Sequence, residues 1–77
     1  MNTSEITELI KVGFDKPRLY KRSVWNKAVK VMEFLADNTN GEITRTHSNL
    51  GLEKYTTKNM TDSKIHSWAV TYQKSIM

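Results

Sequence analysis

The sequence predicts an all-α protein, a small single-domain bundle of three main helices plus a short fourth element. Apolar residues recur at helical spacing from residue 23 to residue 38, where they fill one arc of about 160° around the helix axis. A second apolar stripe runs through residues 61–76, directly after a capping residue, Thr61. A chain of 77 residues is long enough for one core, so we expect residues 1–77 to form a single helical domain.

The first helix is expected near residues 3–13. Asn2 and Glu5 have the spacing of a capping box, although Thr3 or Ser4 would also serve as the cap. Gly13 is a suitable end for this helix, and Pro17 disfavours helical geometry at the residue before it. Residues 13–17 are therefore predicted to form a turn.

The second helix is expected near residues 18–38, and its beginning has two interpretations. Pro17 can occupy the first helical position, or Ser23 can be the cap, with Leu19 and Tyr20 in the segment that precedes the helix. The end is better defined, because residues 38–40 are poor helix formers and Gly41 suits a left-handed terminus.

Residues 42–55 also have two interpretations. Ile43 to His47 alternate in polarity and are rich in threonine, which is typical of a short extended segment. Thr44 could instead cap a short helix that runs to Leu50 and ends at Gly51. Residues 56–59 are polar and are predicted to form a loop before the last helix, near residues 61–76.

The core is expected to be built from the apolar faces of the second and last helices. Its predicted members are Trp25, Ala28, Met32, Leu35, Ile65, Trp68, Ala69 and Tyr72. Phe34 does not fit this pattern. Viewed down the helix axis, its side chain falls between those of Lys27 and Lys30, on the polar face. Either the first helix or the 43–55 segment covers its ring, or Phe34 is an exposed anchor for a binding partner.

Nothing in the sequence indicates catalysis. Cysteine is absent, and His47 and His66 do not have a metal-ligand spacing. The three glycines do not form a phosphate-binding loop. We therefore predict a protein that is not an enzyme and uses no cofactor or metal. The first residues do not have the layout of a signal peptide and no apolar run is long enough to cross a bilayer, so a cytoplasmic location is expected.

Positive charge is concentrated in one block, from Lys11 to Lys30, which holds seven basic residues and only one acidic residue, Asp15. Such a density indicates an anion-binding surface, or a solvated face that keeps the protein soluble. The predicted phosphate-binding residues of the block are Lys16, Arg18, Lys21, Arg22, Lys27 and Lys30. A second predicted group consists of Arg45, Lys54 and Lys58.

Residues 27–52 carry a further local pattern. An amphipathic helix is followed by Gly41-Glu42-Ile43-Thr44, and seven positions after Thr44 comes the glycine of Leu50-Gly51-Leu52. This arrangement resembles the opening of winged helix-turn-helix regulators, a resemblance that covers about a third of the chain. It implies that Thr44 caps a second helix and that a recognition helix occupies residues 53–59. Thr46 and His47 stand where that family usually has apolar or small residues, and no basic wing follows.

Two functions are compatible with these features. The first is a small basic nucleic-acid-binding module similar to a transcription regulator, for DNA or RNA. The alternative is a small regulatory or inhibitory protein, by analogy with short proteins of phages and mobile elements. It would dock on another protein through a basic face with Phe34 as the anchor. A salt titration distinguishes the two, because phosphate contacts make binding steeply salt-dependent.

Overall fold

The computed structural model describes residues 2–47 and 53–76. In this part of the chain the elements are α1 (Thr3–Gly13), a 3-10 turn (Pro17–Leu19), α2 (Arg22–Asn38), β1 (Ile43–His47), β2 (Glu53–Thr57) and α3 (Asp62–Ser75). The two strands pair in an antiparallel sheet. The all-α prediction is therefore wrong, and the protein is a small mixed α/β domain.

The sheet forms because two residues anchor it to the helices. Ile43 and Tyr55 are each only 2% exposed, whereas the other residues of β1 face solvent. Arg45 lies opposite Tyr55 in the register, and His47 lies opposite Glu53. The extended interpretation of residues 43–47 is thus correct and the short helix capped by Thr44 is wrong; Leu50 and Gly51 lie outside the described residues.

The second strand corrects two further expectations. Thr56 and Thr57 belong to β2 and not to a loop, since threonine is well suited to a pleated and half-buried surface. Strands also occupy residues 43–47 and 53–57, where the winged helix-turn-helix resemblance requires a second helix and a recognition helix. The resemblance therefore does not extend to the fold.

The first and last helices, α1 and α3, begin where their capping residues predict. The Asn2 side chain accepts a hydrogen bond from the Glu5 amide at 2.9 Å, and the Thr61 side chain accepts one from the Lys64 amide at 3.2 Å. Each cap satisfies an amide that has no partner within its own helix. The Thr3 hydroxyl also donates to Gln73 Oε1 at 2.5 Å, so the first turn of α1 contacts the last turns of α3.

Helix α2 begins differently from both predictions. Pro17 starts the separate 3-10 turn, Ser23 lies inside the helix, and Lys21 occupies the capping position without a side-chain hydrogen bond. The end agrees with the prediction, because Gly41 has φ +83° and follows Asn40 at φ +53°. Both values lie in the left-handed region, which glycine and asparagine tolerate best.

The core lies where the three helices and the sheet meet. Its members are Ile6, Ile10, Val31, Met32, Leu35, Ile43, Tyr55, Ile65, Trp68 and Ala69, and Ala28 is also buried. Most of the predicted core residues are present. Tyr72 packs against the edge of the core, but Trp25 is only partly buried and does not belong to the core cluster.

Phe34 is half-buried and packs against the core from one side. Its ring meets that of Tyr72 edge-on, with the ring centroids 5.5 Å apart. Helix α3 therefore covers part of Phe34 through Tyr72, a source of cover that the sequence does not predict. No helix among the described residues is long and apolar enough to cross a membrane.

Candidate nucleic-acid interface

The connection from α1 to α2, which carries much of the predicted basic block, is held in one shape by Asp15. One oxygen of this carboxylate accepts a hydrogen bond from the Lys16 amide at 2.9 Å, and the other accepts one from the Tyr20 hydroxyl at 2.7 Å. The bond from Tyr20 and then the bond from Lys16 hold the pKa of Asp15 below its ordinary value, and the same bond raises the pKa of Tyr20. The 3-10 turn between them sets the backbone conformation at Arg18.

An open groove lies beside this connection, with a volume of about 610 Å³. The 3-10 turn and the residues next to it form one wall, the first two turns of α2 form another, and Glu53 at the start of β2 completes the groove. Its lining consists of Pro17, Arg18, Tyr20, Arg22, Trp25, Asn26, Val29 and Glu53. Two arginines and two aromatic residues thus line one concave surface.

The α2 residues of the groove are neighbours because of helical spacing. Arg22, Trp25, Asn26 and Val29 lie at positions i, i+3, i+4 and i+7, which form one face of a helix. This face lies at the margin of the apolar arc and not at its centre, where Ala28, Val31, Met32 and Leu35 are buried. The groove therefore uses a face of α2 that the core leaves uncovered.

Most of the predicted phosphate-binding cations have no acidic partner in the described part of the chain. The ion pairs found there engage Lys11, Arg45 and Lys64. The cations without such a pair are Lys16, Arg18, Lys21, Arg22, Lys27, Lys30, Lys54 and Lys58, and all eight are exposed. Their charges are available to an anion.

The fold nevertheless separates the basic block into different surfaces. Arg18 and Arg22 line the same groove, and Lys16 and Lys21 flank the 3-10 turn. Lys27 lies on the side of α2 that faces α1, where it shares a shallow groove with Glu5 and Glu8. Lys30 is exposed and does not line the groove of Arg18 and Arg22. The densest positive surface is therefore the segment from residue 16 to residue 22.

The second predicted group does not form one surface. Arg45 pairs with Glu53 and lies 3.7 Å from Glu33, so two acids offset its charge. Lys54 neighbours Tyr55 in sequence and so lies on the opposite, solvent-facing side of the sheet. Lys58 lines a separate depression at the base of the hairpin.

Glu53 is the one acidic residue of the groove, and its surroundings keep it ionised. Burial alone would raise its pKa, but hydrogen bonds from Tyr55 and Arg45, together with the nearby positive charge, lower the pKa overall. The Tyr55 hydroxyl donates to Glu53 Oε2 at 2.8 Å, and Arg45 donates to Glu53 Oε1. Burial and the bond to Glu53 raise the pKa of Tyr55, so its hydroxyl keeps its proton.

The start of α2 adds to the positive potential. Its first turn contains no acidic residue, whereas the first turns of α1 and α3 contain Glu5 and Asp62. Lys21 and Arg22 instead lie at the positive end of the helix dipole, an arrangement that opposes helix stability. An anion beside residues 18–22 would relieve this repulsion.

Of the residues that line the groove, sequence reasoning predicts only Arg18 and Arg22 as binding residues. It places Trp25 in the core because Trp25 lies on the apolar arc of its helix, and nothing in the sequence distinguishes Tyr20. Glu53 reaches the groove only because residues 53–57 form a strand. The predicted anchor Phe34 does not line the groove.

Among residues 2–47 and 53–76 no group of three or more His, Asp or Glu side chains is placed to hold a metal ion. Comparison of the chain with known protein families, curated proteins and solved structures gives no match.

Proposed function

We propose that the protein is a small nucleic-acid-binding protein without catalytic activity, and that its binding surface consists of residues 16–22 and the groove-lining face of α2, formed by Arg22, Trp25, Asn26 and Val29. The observation that supports this most directly is the groove in which Arg18 and Arg22 meet beside Trp25. Guanidinium groups bind phosphates, and aromatic side chains bind bases. Both kinds of group are therefore present at one place.

The charge distribution supports the same function. Neutralising phosphates releases condensed counterions, which favours the binding of basic surfaces to nucleic acids. The four cations of the 16–22 segment, Lys16, Arg18, Lys21 and Arg22, form no ion pair among the described residues, and only Lys16 has its charge partly offset, by the adjacent Asp15 carboxylate. Forming phosphate contacts would not require an existing ion pair to break.

A second candidate function, docking on another protein, has one observation in its favour. Leu19 is 60% exposed at the end of the 3-10 turn, next to Arg18 in the chain. Single exposed leucines are common on protein surfaces, so this observation favours docking only through the position of Leu19 within the basic segment. Binding through such an interface depends only weakly on salt, whereas phosphate contacts give a steep dependence.

The proposal is tested by removing three charges from the binding surface. The triple variant Arg18→Ala, Lys21→Ala, Arg22→Ala should weaken binding to a fluorescent oligonucleotide. It should also flatten the slope of log K against log salt by roughly one unit per lost phosphate contact. Anisotropy titrations between low and moderate salt measure both effects.

The matched control removes the same number of charges from other surfaces. It is the variant Lys27→Ala, Lys54→Ala, Lys58→Ala, whose side chains lie on the α1 side of α2, the outer face of the sheet and the base of the hairpin. Equal losses in the two triple variants would show that only net charge matters. If the wild-type protein binds neither DNA nor RNA at low salt, the proposal is wrong and protein docking takes its place.

A further inference from the structure

The groove is chemically divided along α2. Arg22 is the first residue of the helix, and Val29 follows seven residues later, which separates the two by roughly 10 Å along the helix axis. Glu53 lies near the Val29 end of the groove. Arg45, which pairs with Glu53, also lies 3.7 Å from Glu33, and Glu33 follows Val29 along α2. Positive charge therefore marks the beginning of the groove and a carboxylate marks its other side.

Between these charged groups the lining is largely apolar. Pro17 lies on one wall, and Trp25 and Val29 lie on the other. Trp25 is only partly buried and lines the groove, so part of its side chain is open to a ligand there. A partly open indole beside two arginines is suited to a ligand that is both aromatic and anionic.

The carboxylate of Glu53 limits what can occupy its side of the groove. It is ionised, so it repels phosphate and accepts hydrogen bonds without donating any. Arg45 and Tyr55 hold its two oxygens in place from the sheet side. Each carboxylate oxygen has a second lone pair, which leaves an acceptor for a donor group in the groove.

We propose that this groove binds one unpaired nucleotide of a single-stranded nucleic acid, with the phosphate at Arg18 and Arg22, the base against Trp25, and an amino group of the base donating to Glu53. This inference rests on the proposed function and makes it more specific. In a duplex the bases are paired and stacked, so a single base cannot enter such a groove without leaving its helix. Single strands expose base faces that stack on aromatic side chains.

The carboxylate also predicts which bases are preferred. Adenine, cytosine and guanine carry exocyclic amino groups that project beyond the ring, whereas uracil and thymine have no amino group and present their one ring N–H between two carbonyl oxygens. An acceptor-only group such as ionised Glu53 attracts the amino groups and repels the carbonyl oxygens. The groove should therefore bind amino-bearing bases more tightly than uracil or thymine.

The first test compares single strands with duplexes. Labelled oligonucleotides of equal length, one single-stranded and one double-stranded, are titrated with wild-type protein and with Trp25→Leu, which keeps an apolar side chain but removes the indole. The substitution should reduce affinity for the single strand by about 5- to 150-fold and leave duplex binding nearly unchanged. Binding of the single strand should also quench the tryptophan fluorescence of the wild-type protein.

The second test addresses the base. Wild-type protein should bind oligo-A and oligo-C more tightly than oligo-U, and Glu53→Gln should reduce this difference because an amide can donate to a carbonyl. Circular dichroism and thermal melts show whether each variant is folded. Tyr55→Phe is the matched control, since it removes one bond to Glu53 but leaves the charge in the groove.

The outcomes separate this inference from the proposed function. If no nucleic acid binds, both are wrong. If single strands and duplexes bind equally and Trp25→Leu changes neither affinity by more than twofold, the protein binds nucleic acid but the groove does not hold a base. Equal affinity for oligo-U and oligo-A would overturn the role of Glu53. Competition by an oligo-glutamate peptide as effective as that by the oligonucleotide would show that the groove binds acidic peptides instead.

Discussion

At Gly13 the absence of a side chain sets how closely α1 approaches α2. A Cβ at this position would lie 2.3 Å from Met32 Cγ and 2.8 Å from Met32 Sδ, both far inside contact distance. Met32 is fully buried and has little room to move. The sequence predicts Gly13 as the end of α1, which is correct. The glycine is needed there for close packing and not for a left-handed turn, because the chain continues into Phe14 in right-handed helical geometry. Periodicity along one helix does not contain this information, because the constraint comes from a side chain of another helix.

Gly13→Ala should therefore destabilise the protein by about 1–3 kcal/mol, since overpacking outweighs the gain in helix propensity. Met32→Ala alone should cost about 2–5 kcal/mol. In the Met32→Ala background the same glycine substitution should raise stability by up to about 1 kcal/mol, because the clashing atoms are gone. Urea denaturation of the wild type, the two single variants and the double variant measures the four free energies of unfolding that this double-mutant cycle needs. A Gly13→Ala protein at least as stable as the wild type would contradict the close contact.

Among the elements, the hairpin was the hardest to predict. Helices α1 and α3 follow from capping residues and apolar stripes, and the structure confirms both. Strand β2 has only one fully buried side chain, Tyr55, so its sequence lacks a strong alternating pattern. The groove depends on this strand through Glu53, so it could not be predicted before the strand was known. The sequence places Trp25 in the core for a different reason, which is that the apolar arc of α2 is wider than the face that the core uses.

The hairpin should make stability depend on pH. The pKa of Glu53 is lowered in the folded protein, so its ionised form contributes stability above its ordinary pKa of 4.5. That contribution is lost as the pH falls from this value through the lower, folded pKa. Glu53→Gln should reduce stability by about 1 kcal/mol or less at pH 6, as for a partly exposed pair, and by progressively less at more acidic pH. Urea denaturation from pH 6 to pH 2 tests this, and parallel curves for the two proteins would contradict it.

At the scale of the whole molecule, aromatic pairs join helices that are distant in sequence. Phe14 meets Trp68 with ring centroids 5.9 Å apart, which joins the end of α1 to α3. Phe34 meets Tyr72 and joins α2 to α3. The polar neighbours of Phe34 on its own helix gave no sign of this contact. The position of α3 reveals that the Phe34 ring, on the polar side of α2, is partly covered by Tyr72.

Phe34→Ala should therefore lower the free energy of unfolding by about 1–3 kcal/mol, less than the roughly 3–5 kcal/mol for a fully buried phenylalanine. A double-mutant cycle with Tyr72→Ala should give a coupling of about 0.5–1.5 kcal/mol for the edge-to-face pair. Thermal and urea melts supply these values. An unchanged melt combined with weaker binding would instead identify Phe34 as an anchor for a partner.

The hydrogen bond from Thr3 to Gln73 has a consequence for the rate and order of folding. It joins residues 70 positions apart, whereas α1 with α2 and β1 with β2 are neighbours in sequence. The entropy cost of closing a loop grows with its length, so the interface of α1 and α3 is expected to form after these local units. Contacts that form late mainly control how fast a protein unfolds. The meeting of the first and last helices should therefore determine the lifetime of the folded state more than the speed at which it forms.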